Sequence, residues 1–143
     1  MRAFTSTHRS RLGLVSLEAP LISNLSVRRN VALIPQYHQN TAWPAASALT
    51  DRLLQRLGMA SIAEKRNPSL APEERFCAML LRAAMVQEAV VVLDRPFGIL
   101  TNQPDGRFLR ETLEKLDELI AEVYIFDYHW EKERYGVVDD PKD

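Results

Sequence analysis

The sequence predicts an α/β fold with a short, mainly parallel sheet, flanking helices and a helical subdomain, and three observations carry that expectation. The run Ala89-Val-Val-Val-Leu93 is continuously apolar and rich in β-branched residues, the pattern of a central parallel strand covered on both faces. A segment that is apolar on nearly every side, 76–86, precedes it, and an amphipathic segment follows with Leu109, Leu113, Leu116 and Ile120 inward. A last strand at 123–126 completes helix, strand, helix, strand, which is a crossover unit.

The remaining elements are placed by their punctuation. Residues 12–15 form a short apolar strand, followed by a loop through Glu18-Ala19-Pro20. Residues 26–33 form a short helix that Ser26 opens and Pro35 stops. The polar stretch 36–43 is turn-like, with Tyr37 and Trp43 placed either to anchor a partner or to pack locally. Pro44 then starts a helix with Leu49, Leu53, Leu54 and Leu57 on one face, closed by Gly58 in a left-handed cap. Residues 67–72 are a punctuated loop. Pro72 opens the next helix, with Glu73 and Glu74 in the first turn where the helix dipole favours acids. Pro104 and Asp105 begin the third long helix, whose outer face carries Glu111, Glu114 and Glu118. There is no internal repeat and no low-complexity segment.

Composition narrows the function classes. The 143 residues are 46% hydrophobic and 26% charged, with 18 basic and 19 acidic side chains, which suits one soluble globular domain. That balance, with no local basic patch, provides no field for gripping nucleic acid. The single cysteine, Cys77, excludes an internal disulfide and a thiolate zinc site, fits a reducing compartment, and reads as core. No apolar run approaches membrane-spanning length, so any membrane contact is expected to be indirect. The segment 1–16 carries Arg2, Arg9 and Arg11 and no acid, a composition shared with transit peptides. It is read here as a cytosolic N-terminus, and the protein is expected in the cytoplasm. His8 and His38 are isolated and receive no role.

Four stretches, in order, carry a resemblance. Asn67-Pro-Ser-Leu-Ala-Pro-Glu-Glu-Arg-Phe-Cys-Ala-Met-Leu-Leu-Arg-Ala-Ala resembles a signature loop and its helix, and Ala89-Val-Val-Val-Leu-Asp-Arg-Pro-Phe97 a Walker B strand and its end. Arg11-Leu-Gly-Leu-Val together with Leu21-Ile-Ser-Asn-Leu-Ser-Val-Arg-Arg-Asn-Val-Ala-Leu-Ile-Pro35 resembles a strand, Q-loop and following helix. The stretch 123–129 resembles the strand that runs into the switch histidine, at His129. Over about residues 11–130 the chain resembles an ABC-transporter ATPase with its beginning missing, closest in wording to subunits of lipid-trafficking, toluene-tolerance-type transporters. The resemblance implies a partial P-loop-NTPase-like core from 1–35 and 88–143, with 36–87 as the helical subdomain of a single domain.

The departures from the family pattern predict loss of hydrolysis. No glycine-rich loop with its lysine and hydroxyl occurs in these residues, so the Walker A element is missing. Leu17 stands at the Q-loop glutamine position. In the signature loop Leu70-Ala71-Pro72-Glu73-Glu74, Ala71 lacks the serine hydroxyl and Pro72 removes a backbone N–H from the helix start. Glu73 and Glu74 put negative charge where phosphate would sit; two unit charges roughly 4 Å apart at an effective dielectric of about 20 repel by on the order of 4 kcal/mol. Asp94 keeps the Walker B carboxylate, but Arg95 replaces the catalytic glutamate, and a guanidinium stays protonated and cannot be a general base. Thr101 takes the D-loop aspartate position. Asp94, Arg95, His129 and the signature loop are therefore read as vestigial. Asp94 is read as a cap on a neighbouring loop rather than a metal ligand, and His129 as a surface or packing histidine. No cofactor is expected, although the family would imply ATP and magnesium.

The resemblance also implies partners. With the Walker A strand gone, the strand 123–126 becomes an edge, and exposed apolar edges invite pairing. Val123 and Ile125 there, and Leu17, Leu21 and Ile22 at the Q-loop, are the expected partner-binding residues, for self-association or another chain such as an ABC permease. The sequence thus predicts a non-hydrolysing ABC-ATPase-like subunit that binds protein partners at a membrane transporter. The alternatives are half of a split ATPase with its phosphate loop supplied in trans, and an unrelated small α/β domain.

Overall fold

A computed structural model describes residues 11–136. The expectations placed on 1–10, including His8, lie outside the described residues.

Among the described residues the sheet is three-stranded and parallel, in the order β1 (Leu12–Val15), β2 (Ala89–Asp94), β3 (Ile120–Phe126). The apolar run of β2 takes the central place that its composition predicts, with residues 89–93 fully buried. Each buried Val or Leu there contributes about 1.5–3 kcal/mol of transfer free energy. Among the described residues four α-helices accompany the sheet: α1 (Val27–His38), α2 (Trp43–Arg56), α3 (Pro72–Ala84) and α4 (Arg107–Lys115). Phe76, Leu80 and Leu81 of α3 are fully buried, as the all-round apolar pattern demands.

The register brings α3 against β1 at backbone distance. A Cβ built on Gly13 would lie 2.3 Å from the Ala83 carbonyl oxygen and 2.8 Å from its carbon, so only glycine fits this crossing.

The loop from β1 to α1 is clamped by Asn30, which is 1% exposed. Its Oδ1 accepts from the Ile22 N–H at 2.8 Å, and its Nδ2 donates to the Ile22 and Ser26 carbonyls, each at 3.1 Å. Every polar atom of a buried carboxamide is expected to find such a partner. Ser26 caps α1, its Oγ accepting from the Arg29 N–H at 3.2 Å.

Three boundaries differ from the sequence expectation. Pro35 does not stop α1; the helix continues to His38 with the buried Pro35 ring inside it. The missing N–H costs one helical bond, and the Pro35 carbonyl offsets it by accepting from both Gln39 and Thr41 N–H, at 3.0 and 3.1 Å. Residues 36–38 are accordingly helical rather than turn-like, and Trp43 begins α2 with Arg29 stacked 4.5 Å over its ring, a local packing role. Helix α4 begins at Arg107, not Pro104, because the Asp105 carboxylate accepts from the Arg107 N–H at 3.0 Å and holds the preceding turn open. Ile120 belongs to β3, where it pairs with Ala89, so the strand is longer than 123–126. Gly58 takes φ +71° at the end of α2, as expected of a left-handed cap.

Gly13→Ala should destabilise the chain by about 3 kcal/mol, the scale of a backbone-level overpacking. Urea unfolding followed by far-UV circular dichroism measures it.

Candidate functional site at the C-terminal ends of the strands

Parallel strands bring their C-terminal ends to one side of the sheet, and in open α/β sheets that side is where ligands bind. The register Val15↔Leu93 sets Ser16 beside Asp94, and Asp94↔Phe126 sets Asp127 just beyond. Ser16 is buried, and its Oγ donates to Asp94 Oδ2 at 3.2 Å while accepting from the Glu18 N–H at 3.1 Å. Through Ser16, Asp94 thus tethers the ends of β1 and β2.

Arg95 follows in the left-handed region, φ 48°, where a side-chain-bearing residue carries on the order of 1–2 kcal/mol of strain. Three contacts hold it there. Its backbone N–H donates to the Phe126 carbonyl at 2.7 Å, its Nε donates to Asp94 Oδ1 at 3.3 Å, and its Nη2 reaches Glu18 Oε1 at 3.3 Å. The Tyr128 hydroxyl bonds the same guanidinium, and this bond, ahead of the Asp94 contacts, raises the Arg95 pKa further. Arg95, expected from the sequence to stand where the family has its catalytic glutamate, is therefore permanently charged and engaged.

These groups open onto a cleft of about 590 Å3 lined by Leu17, Glu18, Arg95, Phe97, Tyr128, Trp130 and Arg134, among others. The rings of Tyr128 and Trp130 stack face to face at 4.5 Å. Arg134 lies 4.0 Å over Phe97 and pairs with Glu131 at 2.6 Å. His129 is not among the cleft-lining residues; it lines a neighbouring hollow of about 300 Å3 with Ile125 and Lys132. Of the predicted site residues, Leu17 and Arg95 line the cleft, Asp94 is bonded to Arg95, and His129 lines the neighbouring hollow. Ser16, Glu18, Tyr128 and Arg134 were not singled out in the sequence, although pairing 12–15 against 90–93 already places Ser16 level with Asp94.

The signature-like loop lies outside this cleft, at the start of α3. Leu70 is buried in the core. The Ala71 N–H donates to Glu74 Oε1 at 2.9 Å, half of a capping box, since alanine has no oxygen to return the bond. Lys65 approaches Glu74 at 3.4 Å, and Gln103 donates to Glu73 at 3.1 Å, as does Asn102. Glu73 is held below the ordinary carboxylate range, first by its own backbone N–H and then by Asn102. Cys77 is buried one turn further on, its thiol pushed up to about 12 by burial, which keeps it inert at neutral pH. Of the expected partner-facing residues, Leu17 and Ile22 are 59% and 46% exposed and Val123 and Ile125 39% and 41%. Leu21 is 3% exposed and belongs to the core, because the Asn30 clamp on Ile22 turns the preceding side chain inward.

The buried parallel β2, the strand-end carboxylate and the helix packed beside it define an open α/β protein of the P-loop-NTPase-like kind. The chain belongs to the ABC-transporter ATPase family. It is 32% identical over 110 residues to the macrolide export ATP-binding/permease protein MacB of Neisseria meningitidis serogroup A, covering 77% of this chain and 17% of that protein. It is 28% identical over 129 residues to the sulfate/thiosulfate import ATP-binding protein CysA of Synechococcus elongatus, 90% of this chain and 37% of the relative. It is 32% identical over 118 residues to the molybdenum import ATP-binding protein ModC 1 of Azotobacter vinelandii, 81% of this chain and 31% of the relative. The chain thus spans less than two fifths of the length of these curated relatives. No protein-family model matches it. The reading as an unrelated α/β domain falls with these similarities.

They also correct the expectation that no cofactor is involved. The relatives are ATP-binding proteins by name, and ATP with magnesium is what the family uses. Among the described residues the donor set for that ion is incomplete. Magnesium takes octahedral oxygen ligation, and Asp94 provides one carboxylate whose two oxygens are already engaged by Ser16 and Arg95. These residues by themselves do not fit the ion.

The depressed pKa of Glu73 means that its stabilising contribution is present above the ordinary value of 4.5 and is lost as pH falls through that value and below. Glu73→Gln should therefore flatten the acid limb of the Tm profile between about pH 5 and 3, read by thermal unfolding across that range.

Proposed function

We infer that this chain acts as a transporter-linked ABC-ATPase-like subunit in which hydrolysis is disabled at the Walker B end and protein contact is the working output. The observation that carries the reading is the Arg95 guanidinium held by Asp94, Glu18 and Tyr128. A permanently protonated group cannot take a proton from water, and while it holds Asp94 it competes for the carboxylate that the family gives to a magnesium ion. The reading leaves nucleotide binding with the family and assigns the loss to the chemical step. Mg-ATP turnover by the purified chain should stay at the level of buffer. Turnover above that level which Asp94→Asn abolishes overturns the proposal.

The partner side rests on Leu17 and Ile22, two exposed apolar side chains on the loop between β1 and α1, held in place by the Asn30 clamp. The helical segment 36–87 stands beside this loop as a subdomain in the reading proposed here. Since the relatives include proteins named as ATP-binding and permease together and ATP-binding importers, the occupant proposed for that loop is the cytoplasmic face of a permease. Among the described residues no helix is long and apolar enough to cross a membrane, so attachment would run through that contact, with the chain in the cytoplasm. The double variant Leu17→Asp, Ile22→Asp should fold normally and leave the membrane fraction of expressing cells for the soluble one. Unchanged membrane recovery sinks the docking assignment.

A further inference from the structure

Beyond β3 the chain turns back along itself. Residues 129–135 form a 3-10 strap that meets the loop joining β2 to α4 at main-chain distance. The Gly106 N–H donates to the Arg134 carbonyl at 2.5 Å, and a Cβ built on Gly106 would meet that oxygen at 3.1 Å and the Tyr135 Cα at 3.2 Å. Glycine at 106 is what permits this approach. Arg134 fastens the strap to the same loop. Its Nη2 donates to the Gln103 carbonyl at 2.7 Å, while its guanidinium covers the Phe97 ring and pairs with Glu131. Tyr135 fastens it to the end of β3, its hydroxyl donating to Asp127 and its ring lying 5.0 Å from that of Phe97.

Helix α3 grips the loop as well. Gln103 Nε2 donates to Glu73 Oε1 at 3.1 Å, and the Asn102 carboxamide donates to the same oxygen. Gln103 therefore receives the strap on its carbonyl and holds the α3 carboxylate with its amide. The charged neighbour of Glu73 on its own helix is Glu74, which Lys65 approaches at 3.4 Å. Cys77, one turn on, is a neutral thiol, and Lys115 of α4 acts on it. From the loop Glu73 meets two neutral amides, so its surroundings follow the position of residues 102 and 103.

We propose that residues 129–135 act as a latch, in which Arg134 is a positioning residue that sets the loop 99–106 and with it the two amides that bind Glu73, so that release of the strap at the end of β3 is registered at the start of α3. The coupling is reciprocal, as linkage requires. It does not rest on the reading of the Walker B end, since neither Asp94 nor Arg95 takes part. Because the closed latch holds Glu73 below its ordinary value of 4.5, closure is favoured above that value and weakens as pH falls through it and below.

NMR of the labelled chain reads both ends, through the carboxyl titration of Glu73 and the exchange protection of the Gly106 amide that the strap covers. In wild type Glu73 should titrate below 4.5, and Gly106 protection should fall as pH drops through that titration. Arg134→Met keeps the stem and removes the donors. It should lower Gly106 protection by about tenfold, the scale of a lost charge-assisted hydrogen bond, and move the Glu73 midpoint up. Tyr135→Phe, which removes only the hydroxyl on Asp127, should move both in the same direction by less. Glu73→Ala should in turn lower Gly106 protection. The proposal is overturned by an unmoved Glu73 midpoint in Arg134→Met when Gly106 has lost its protection, or by Gly106 protection that Glu73→Ala leaves untouched. Should Arg134→Met fail to fold, Tyr135→Phe and Glu73→Ala decide it by the same two readings.

Discussion

Burial of β2 between two parallel neighbours is the constraint on which the rest of the molecule depends. A strand with no polar residue from Ala89 to Leu93 can exist in water only if both faces and both edges are occupied. Strand β1 takes one edge and β3 the other, while α3 closes on the β1 side so tightly that position 13 admits no side chain. Once those neighbours are in register, Ser16, Asp94 and Asp127 arrive together without any further instruction.

What gathers at that end is an electrostatic knot rather than an open set of ligands. Arg95 sits in a strained left-handed conformation that persists because its main chain and its guanidinium are both held. Strain of this sort at a strand end commonly marks a functional position. Here it directs a cation onto the Asp94 carboxylate at the end of β2. The start of α3 shows the same economy of partners: Glu73 and Glu74 satisfy the helix start and neighbouring amides internally.

The two sides of the sheet contrast sharply. On the β1 side a polar clamp, Asn30, fastens the loop so that Leu21 turns into the core while Leu17 and Ile22 remain outside. On the β3 side Val123 and Ile125 stay accessible. Among the described residues the molecule therefore carries exposed apolar side chains in two separate places, a loop and an outer strand.

Local chemistry by itself determined the strand at 12–15, the buried strand at 89–93, the start of α3 at Pro72 and the cap at Gly58, because each is set by residues within a few positions of one another. The order of motifs also led to the family, since four short stretches in sequence carry more information than any one. Only the tertiary structure decided the rest. Pro35 stays helical because its ring is buried and its carbonyl finds two donors, neither of which periodicity reveals. Leu21 turns inward because Asn30 holds the next residue, and His129, which begins a 3-10 turn beyond β3, lines a different hollow from Arg95. Arg95 could be read as a lost base from its identity, but its grip on Asp94, Glu18 and Tyr128 depends on strands far apart in the chain. Spacing along a sequence sets which residues share a strand or helix; the register between strands sets which charges meet.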